Sequence, residues 1–509
     1  MIIEVQNLSF TYPGSVEPVF TDLNFRADTA WRLGLIGRNG RGKTTLMRIL
    51  SGELTPSGRI IGLNGGADYF PYPEPPEGVT ALDAAYIARP DLEEWRLRME
   101  INKLGVDAED VLSRDYYTLS NGERTKLMLA VLFSAEGRFL LIDEPTNHLD
   151  LEAREQVADY LTSKEGFLLV SHDRAFLDAC TDHILALGRG TAEIVRGGYS
   201  VWRENRDRRE SFERAQNERL EKEVKRLDAA ASEAGRRAAL AEGAKYKKGK
   251  KSGIGSAEHE FIEKGHVGKM AARSAHKAKA LERRLNRTAD EHRELLGAAT
   301  HLRRDEAVES LKLSPRFNLH RTLLRAESLS VAYDPAHPVF ENLRFELKPG
   351  ERIALRGRNG SGKSSVLKLA LGENIPHTGL FERAGNALLS YLPQDASFLK
   401  GSVYDYAAAC KVDHVLMLAI LRKLGFAREL FERDMGGYSA GQKKKVLLAR
   451  SLCEQAHVYI WDEPLNFIDL ESREQVEELL LEFKPTMLFV EHDRRFAETV
   501  ATDTIYLER

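Results

Sequence analysis

The sequence predicts an α/β fold built twice, with a pair of helices between the two copies. Three observations carry this. GRNGRGKT (Gly37 to Thr44) and GRNGSGKS (Gly357 to Ser364) stand 320 residues apart, each entered from a short apolar run. FLLIDEP and VYIWDEP repeat at nearly the same offset, each an apolar run ending in two acids. Between the repeats, apolar residues recur at three- and four-residue intervals through long stretches poor in helix breakers.

The first repeat opens with Ile3, Val5, Leu8, Phe10 and Tyr12, the alternation of an antiparallel strand, followed by Phe20, Leu23 and Phe25. Leu33 to Ile36 then runs into the glycine loop. The second repeat gives Leu329, Val331 and Tyr333, then Phe340, Leu343 and Phe345, and Ile353 to Leu355 leads into its loop. Both loops fit G-x-x-x-x-G-K-[ST], and the strand–loop–helix context that this phosphate-binding pattern needs occurs twice. Backbone N–H groups of Gly37, Arg38, Asn39, Gly40, Arg41 and Gly42, and of Gly357, Arg358, Asn359, Gly360, Ser361 and Gly362, would cradle phosphates at a helix N-terminus. Lys43 and Lys363 would supply a charge to the β- and γ-phosphates, and Thr44 and Ser364 a hydroxyl to Mg²⁺, with Thr45 and Ser365 next in line.

A continuous apolar run reads as a strand buried on both faces, so Asp143–Glu144 and Asp462–Glu463 should emerge at the strand's C-terminal end, where the phosphates sit. Asp143 and Asp462 are the expected metal partners, and Glu144 and Glu463 the expected general bases for water. Two further strands, Phe167 to Val170 and Met487 to Val490, lead to His172 and His492. TLSNGERTK and YSAGQKKK each set a Ser-x-Gly before an amphipathic basic helix.

These ordered motifs, each present twice, resemble the ATP-binding-cassette superfamily, with Ser-Asn-Gly-Glu and Ser-Ala-Gly-Gln as two versions of its signature. The resemblance implies ATP and Mg²⁺ as cofactors and His172 and His492 as switch histidines at the γ-phosphate. It also implies Tyr12 and Tyr333 as adenine-stacking residues; closing the strand packing is the other role open to them. It implies that Ser439 and Gly441 complete the site built on Lys43, and that Ser120 and Gly122 complete the one built on Lys363. Asp150 and Asp469 would lie at the interface. The sites differ: YLPQ puts Gln394 where the superfamily has a Mg²⁺-touching glutamine, but YFPY puts Tyr72 there. Glu491 also stands where the first repeat has Ser171. Unequal hydrolysis at the two sites is expected.

The chain of 509 residues is long enough for two or three domains. No stretch approaches the ~18 apolar residues of a spanning helix, and MIIEVQNLSF has no export pattern, so a cytoplasmic location is expected. Cys180, Cys410 and Cys453 lack metal or disulfide spacing and read as small buried residues. The net charge of −3 conceals an asymmetry: residues 201–320 hold 29 basic and 20 acidic residues, and 236–287 hold 15 and 5. A basic middle between acidic repeats suggests a polyanionic partner.

In that middle, Val224, Leu227, Ala231, Ala234 and Ala238 form one helical seam, and Ala271, Ser274, Ala278, Leu281 and Leu285 a second. The six glycines of the intervening stretch predict a loop near 243–268, and Gly235 is a candidate break in the first arm. The reading is an antiparallel α-helical hairpin at 201–320 between domains at 1–200 and 321–509, with arms of about 60 Å at ~1.5 Å per residue. Lys245, Tyr246, Lys247, Lys248, Lys250, Lys251, Phe261, Lys264, His266 and Lys269 interleave charge with rings, as suits phosphate contacts and stacking on unpaired bases in RNA. A merely solvated coiled coil is the alternative.

Tandem cassettes with such a linker and no membrane segment resemble the ABC-F family: α/β, two P-loop ABC-type domains joined by a helical hairpin. That implies binding to the bacterial ribosome at the tRNA exit site, with the linker near the peptidyl-transferase centre, large-subunit rRNA and P-site tRNA. It also implies a monomer whose two domains close on each other. SAGQKKKVLLARSL, DEPLNFID, EHDRRF and GHVGKMAARSAHKAKALERR resemble the antibiotic-resistance ribosomal protection subgroup, which acts against lincosamides, streptogramin A and pleuromutilins. Phe467 stands where housekeeping members of the family usually keep a histidine. A housekeeping translation factor and the ATPase subunit of a transporter are the rival readings.

Overall fold

The computed structural model describes residues 1–247 apart from 16, 64, 135–136, 147–148 and 189. It also describes 273, 276–277, 279–290, 292, 313, 315–316 and 322–507 apart from 335–336. The chain divides into two compact units, Met1–Trp202 with Val308–Arg509, and Arg203–Ala307.

Each repeat of the first unit carries a largely parallel sheet. In the first, the strand order is Ala67–Phe70, Phe139–Asp143, Phe167–Val170, Arg32–Ile36, His183–Leu187 and Ala192–Arg196, the last pairing antiparallel. In the second it is Leu389–Leu392, Val458–Asp462, Met487–Val490, Arg352–Arg356 and Asp503–Tyr506, all parallel. The strand entering each glycine loop thus lies next to the strand ending before His172 or His492, and the acidic strand lies one further on. Glycine loop, histidine and carboxylates therefore all leave the same C-terminal sheet edge, where α/β folds bind their ligands.

An antiparallel three-stranded sheet accompanies each repeat, Phe20–Asp28, Ile2–Phe10 and Ser57–Ile61 in the first. The inward set Ile3, Val5, Leu8 skips a residue because Asn7 takes a left-handed conformation (φ 50°), a bulge that resets the alternation, and Asp22 (φ 50°) marks a second bulge on the partner strand, across from Ser9. Ser328 and Asn342 repeat it in the second. Leu33, Leu35, Leu46, Leu141 and Leu168 close the core between this sheet and the parallel one. Each such fully buried leucine contributes about 1.5–3 kcal/mol of transfer free energy. Cys180 is buried, and Cys410 and Cys453 are partly so.

In the middle of the chain a single helix runs Tyr199–Lys247, so it passes straight through Gly235 and Gly243, beyond the expected loop boundary. Val224, Ala231 and Ala234 are buried as the seam predicts. In the second stretch Leu285 lies on the inner side as expected, with Glu282, Thr288 and Ala289, but Leu281 is 52% exposed. Gly235 is a contact point rather than a break, since a Cβ there would stand 2.8 Å from Oε1 of Glu282. The sequence positions Lys248, Lys250, Lys251, Phe261, Lys264, His266 and Lys269, together with Ala271, Ser274 and Ala278, lie outside the described residues. Lys245, Tyr246 and Lys247 are in the helix. No described helix is long and apolar enough to cross a membrane.

Candidate functional site: two ATP sites at a shared interface

The glycine loops need their glycines for steric reasons. Gly42 has φ 86°, and a Cβ on it would lie 2.6 Å from the rings and methyls of Phe20 and Val19; Gly362 (φ 90°) meets Phe340 and Val339 in the same way. With that close approach each loop wraps its lysine. Lys43 Nζ donates to the carbonyls of Gly37 (2.7 Å) and Arg38 (3.4 Å) and to Asn39 Oδ1 (3.4 Å). Lys363 Nζ donates to Gly357 (2.7 Å) and Arg358 (2.9 Å). Burial pulls both ammoniums below their usual range.

Thr44 Oγ1 donates to Asp143 Oδ2 at 3.0 Å, and the Ser364 hydroxyl bonds Asp462. A hydroxyl and one carboxylate at the mouth of a phosphate loop are hard oxygen donors of the kind that Mg²⁺ takes beside phosphate oxygens, so the residues present fit that ion. When bound, Mg²⁺ would neutralise charge on the β- and γ-phosphates. Tyr12 OH and Thr45 Oγ1 lie 3.0 Å apart, and Tyr333 OH and Ser365 Oγ 2.9 Å, which fixes both rings beside the loop helix. Tyr333 is 57% exposed and available for stacking.

Glu144 and Glu463 are held with φ of 54° and 47°, a conformation unusual for glutamate, by backbone bonds of 2.9 Å to Val170 and Val490 on the neighbouring strand. Each carboxylate faces its histidine: Glu144 Oε1 lies 3.3 Å from His172 Nε2, and Glu463 Oε1 3.2 Å from His492 Nε2. The electrostatics differ. Burial, then Asp143, pushes Glu144 up to about 7. Burial acts on Glu463 too, but His492 and Gln394 outweigh it and hold that carboxyl below its usual value. Burial and then Glu463 push Asp462 up to about 6, whereas burial and Lys43 hold His172 well below the ordinary imidazole range.

Gln394 Nε2 donates to Glu463 Oε2 at 2.8 Å, so its amide rests on the candidate base; its oxygen is the end a metal would take. Tyr72 does not enter the first site: it packs on the helical core of the first repeat, and burial raises its hydroxyl. Tyr69 reaches the first site instead, donating to Asp143 Oδ2 at 3.0 Å. The sequence carried a signal for it, the aligned tyrosines of YFPY and YLPQ. Asn466, whose Nδ2 donates to Glu463 Oε2 at 2.5 Å, was also missed.

The structure brings each signature to the opposite loop. Ser120 and Ser439 cap their helices within capping boxes shared with Glu123 and Gln442. Gly441 sits so close to the first loop that a Cβ would lie 3.4 Å from Asn39 Nδ2, which donates to Phe467 O at 3.2 Å. Ser120 and Gly122 line a cavity of about 560 Å³ with Arg358 and Asn359. Beside it a cavity of about 490 Å³, lined by Tyr333, Lys363, Ser364, Gln394 and Glu463, also has Asn121 and Arg154 of the first repeat in its wall. That volume is within the ~300–1,000 Å³ of small-molecule sites. Asp150 Oδ2 accepts from Asn359 N at 3.4 Å, and Asp469, buried, pairs with Lys445 at 2.6 Å.

The family model described as ABC transporter matches residues 20–147 and 340–466. The chain is 28% identical to the ribosome protection protein VmlR of Bacillus subtilis, over 99% of this chain and 86% of that protein. It is 29% identical to the ATP-binding protein Uup of Caulobacter vibrioides, over 97% and 75%. Its fold matches a solved structure titled RNase-L Inhibitor, with a TM-score of 0.61 at 20% identity, over 98% of this chain and 87% of that one. Duplicated phosphate loops, paired Asp-Glu strand ends and facing signatures therefore make this chain a member of the ABC transporter family, an ATPase with two tandem cassettes of the ABC-F type.

Proposed function

We propose that this ATPase binds the bacterial ribosome at the tRNA exit site in its ATP-closed form. Its linker tip then remodels the peptidyl-transferase region against large-subunit rRNA and P-site tRNA, and so displaces a bound lincosamide, streptogramin A or pleuromutilin. Hydrolysis resets the protein. The observation that carries the reading is the length of the likeness to a ribosome protection protein, 99% of this chain, linker included. The basic middle supports it, because 15 basic against 5 acidic residues at 236–287 suit a polyanionic partner.

The conformational logic is a population shift: ATP favours closure, and only the closed state fits the ribosomal site. In each cassette Lys43 or Lys363 and the loop amides bind phosphate, Glu144 or Glu463 holds the proton of the attacking water, and the facing signature excludes solvent. Thr44 with Asp143, and Ser364 with Gln394 and Asp462, would hold Mg²⁺.

The test is a Glu144→Gln/Glu463→Gln variant incubated with ATP and ribosomes. It should co-sediment with the particles, and absence from the ribosome fraction overturns the reading. Replacing Lys245, Lys247, Lys248, Lys250 and Lys251 together should weaken that binding and flatten its salt dependence. Expression in a drug-sensitive bacterium separates protection from housekeeping, since a housekeeping factor leaves susceptibility unchanged.

A further inference from the structure

Lys444 lies in the second turn of the signature helix Ala440–Cys453 and is 2% exposed. Its ammonium donates to the carbonyls of Pro393 (2.9 Å), Gln394 (3.2 Å) and Asp462 (3.2 Å), so all three of its protons are used. Two of those carbonyls belong to the residues assigned to the metal of the second site. A buried cation needs a countercharge, and the strongest one acting on Lys444 is Glu491. Glu491 is itself buried and accepts from the backbone N–H groups of Leu465 (3.2 Å), His492 (2.8 Å) and Asp493 (3.2 Å). Through these bonds Lys444 ties the signature helix to the Gln394 loop and the end of the acidic strand, and Glu491 ties the histidine turn to Leu465.

The first repeat has no such pair. Thr125 stands at the Lys444 position and its hydroxyl turns back to Asn121 O of its own helix at 2.9 Å. Ser171 stands at the Glu491 position, 3.3 Å from the Thr146 hydroxyl. A neutral pair in one repeat and a charged pair in the other fill equivalent places.

We propose that Lys444, backed by Glu491, is a positioning residue that links the two ATP sites. The helix whose Ser439 and Gly441 face the first loop holds, through Lys444, the metal-side residues Gln394 and Asp462 of the second. Engagement of the signature at the first site is thereby transmitted to the geometry of the second. Among the described residues, no side chain of the helix that follows Ser120 bonds the Tyr72 loop or Asp143 in this way. Coupling of binding between two sites is necessarily reciprocal, but coupling of turnover need not be. The inference rests on Ser439 and Gly441 capping the first site and is independent of the ribosome.

The test uses Lys444→Thr/Glu491→Ser, which copies the neutral pair of the first repeat and so gives the fold a known alternative. In the nucleotide-free protein, hydrogen exchange of the backbone around Leu392 to Ala396 should quicken about tenfold or more. With Glu144→Gln added, so that turnover reports the second site, the half-saturating Mg²⁺ should rise severalfold and kcat should fall about tenfold, while KM for ATP stays within about threefold. Lys444→Arg keeps the charge but cannot place three donors in the same space. It should raise the half-saturating Mg²⁺ with unchanged thermal stability. Unaltered exchange at the Gln394 loop in the double variant, or unaltered Mg²⁺ dependence in either folded variant, overturns the proposal.

Discussion

Arg38 and Glu471 pair at 3.0 Å with side chains only 19% and 16% exposed, whereas the equivalent pair Arg358 and Glu152, at 2.7 Å, is 78% and 50% exposed. One bond of the pseudo-twofold interface is therefore made twice, once nearly dry and once in water. Around the dry copy, Asn39 holds Phe467 and the buried Asp469 pairs with Lys445. Around the wet copy, cavities open beside Asn359. A partly desolvated pair loses more on truncation than an exposed one. Arg38→Ala should weaken the closed interface by about 1–2 kcal/mol and Arg358→Ala by less than ~1 kcal/mol. Hydrogen exchange near Phe467 measures this. Equal effects of the two variants would remove the asymmetry.

The same asymmetry reaches the chemistry. In the second site Gln394, Asn466 and His492 all hydrogen-bond Glu463, and against burial the bonds from His492 and Gln394 hold its carboxyl below the usual value, while Glu144 lacks a glutamine and is pushed up by burial and Asp143. Glu463→Gln should therefore cost more steady-state ATP turnover than Glu144→Gln, by about fivefold or more. Matching losses from the two single variants would show the sites to be equivalent.

Much of this was legible in the chain because phosphate chemistry is read from short, contiguous motifs. The loops, the Asp-Glu strand ends and the signatures each specify their own local backbone, so sequence spacing alone places them on strands, loops or helices. What was not legible depends on side chains that meet across the fold. Tyr69 reaches Asp143 while Tyr72 turns into the core; comparing YFPY with YLPQ singles out the first tyrosine, but its bond to Asp143 is seen only once the strands are paired. Leu281 fits the expected seam yet is exposed, because Glu282, which stands against Gly235 of the other arm, takes the inner side. Gly243 reads as a stop, yet a helix of 49 residues tolerates the ~1 kcal/mol that glycine costs there.

Glu100 offers a stability test far from the nucleotide. Its carboxylate is 4% exposed and receives Tyr160 OH (2.6 Å), Lys164 (2.5 Å) and Lys103 (2.9 Å). Burial alone would raise its pKa, but bonds from Lys164, Tyr160 and Lys103 outweigh it and the pKa lies below the usual 4.5. A depressed carboxyl contributes stability that is complete above the unfolded pKa and is lost as pH falls through the folded one. Glu100→Gln should cost the first repeat about 1–3 kcal/mol at pH 7, and the gap to the parent should close in acid below that window. Denaturant midpoints across pH measure it; a gap independent of pH would show that shape, not charge, matters there.

In the helical unit, Gly235 separates two effects that usually act together. Replacing a helix-interior glycine by alanine stabilises the helix by about 0.5–1 kcal/mol, provided the new methyl finds room. Here the nearest atom is the tip of Glu282, a flexible side chain that can swing away. Gly235→Ala should therefore slow proteolysis of the 203–247 helix. Gly235→Leu, whose bulk must push against the facing helix itself, should expose both arms to cleavage. If the alanine variant is cleaved faster than the parent, Glu282 is fixed in place and the glycine is needed for close packing, not tolerated despite its flexibility.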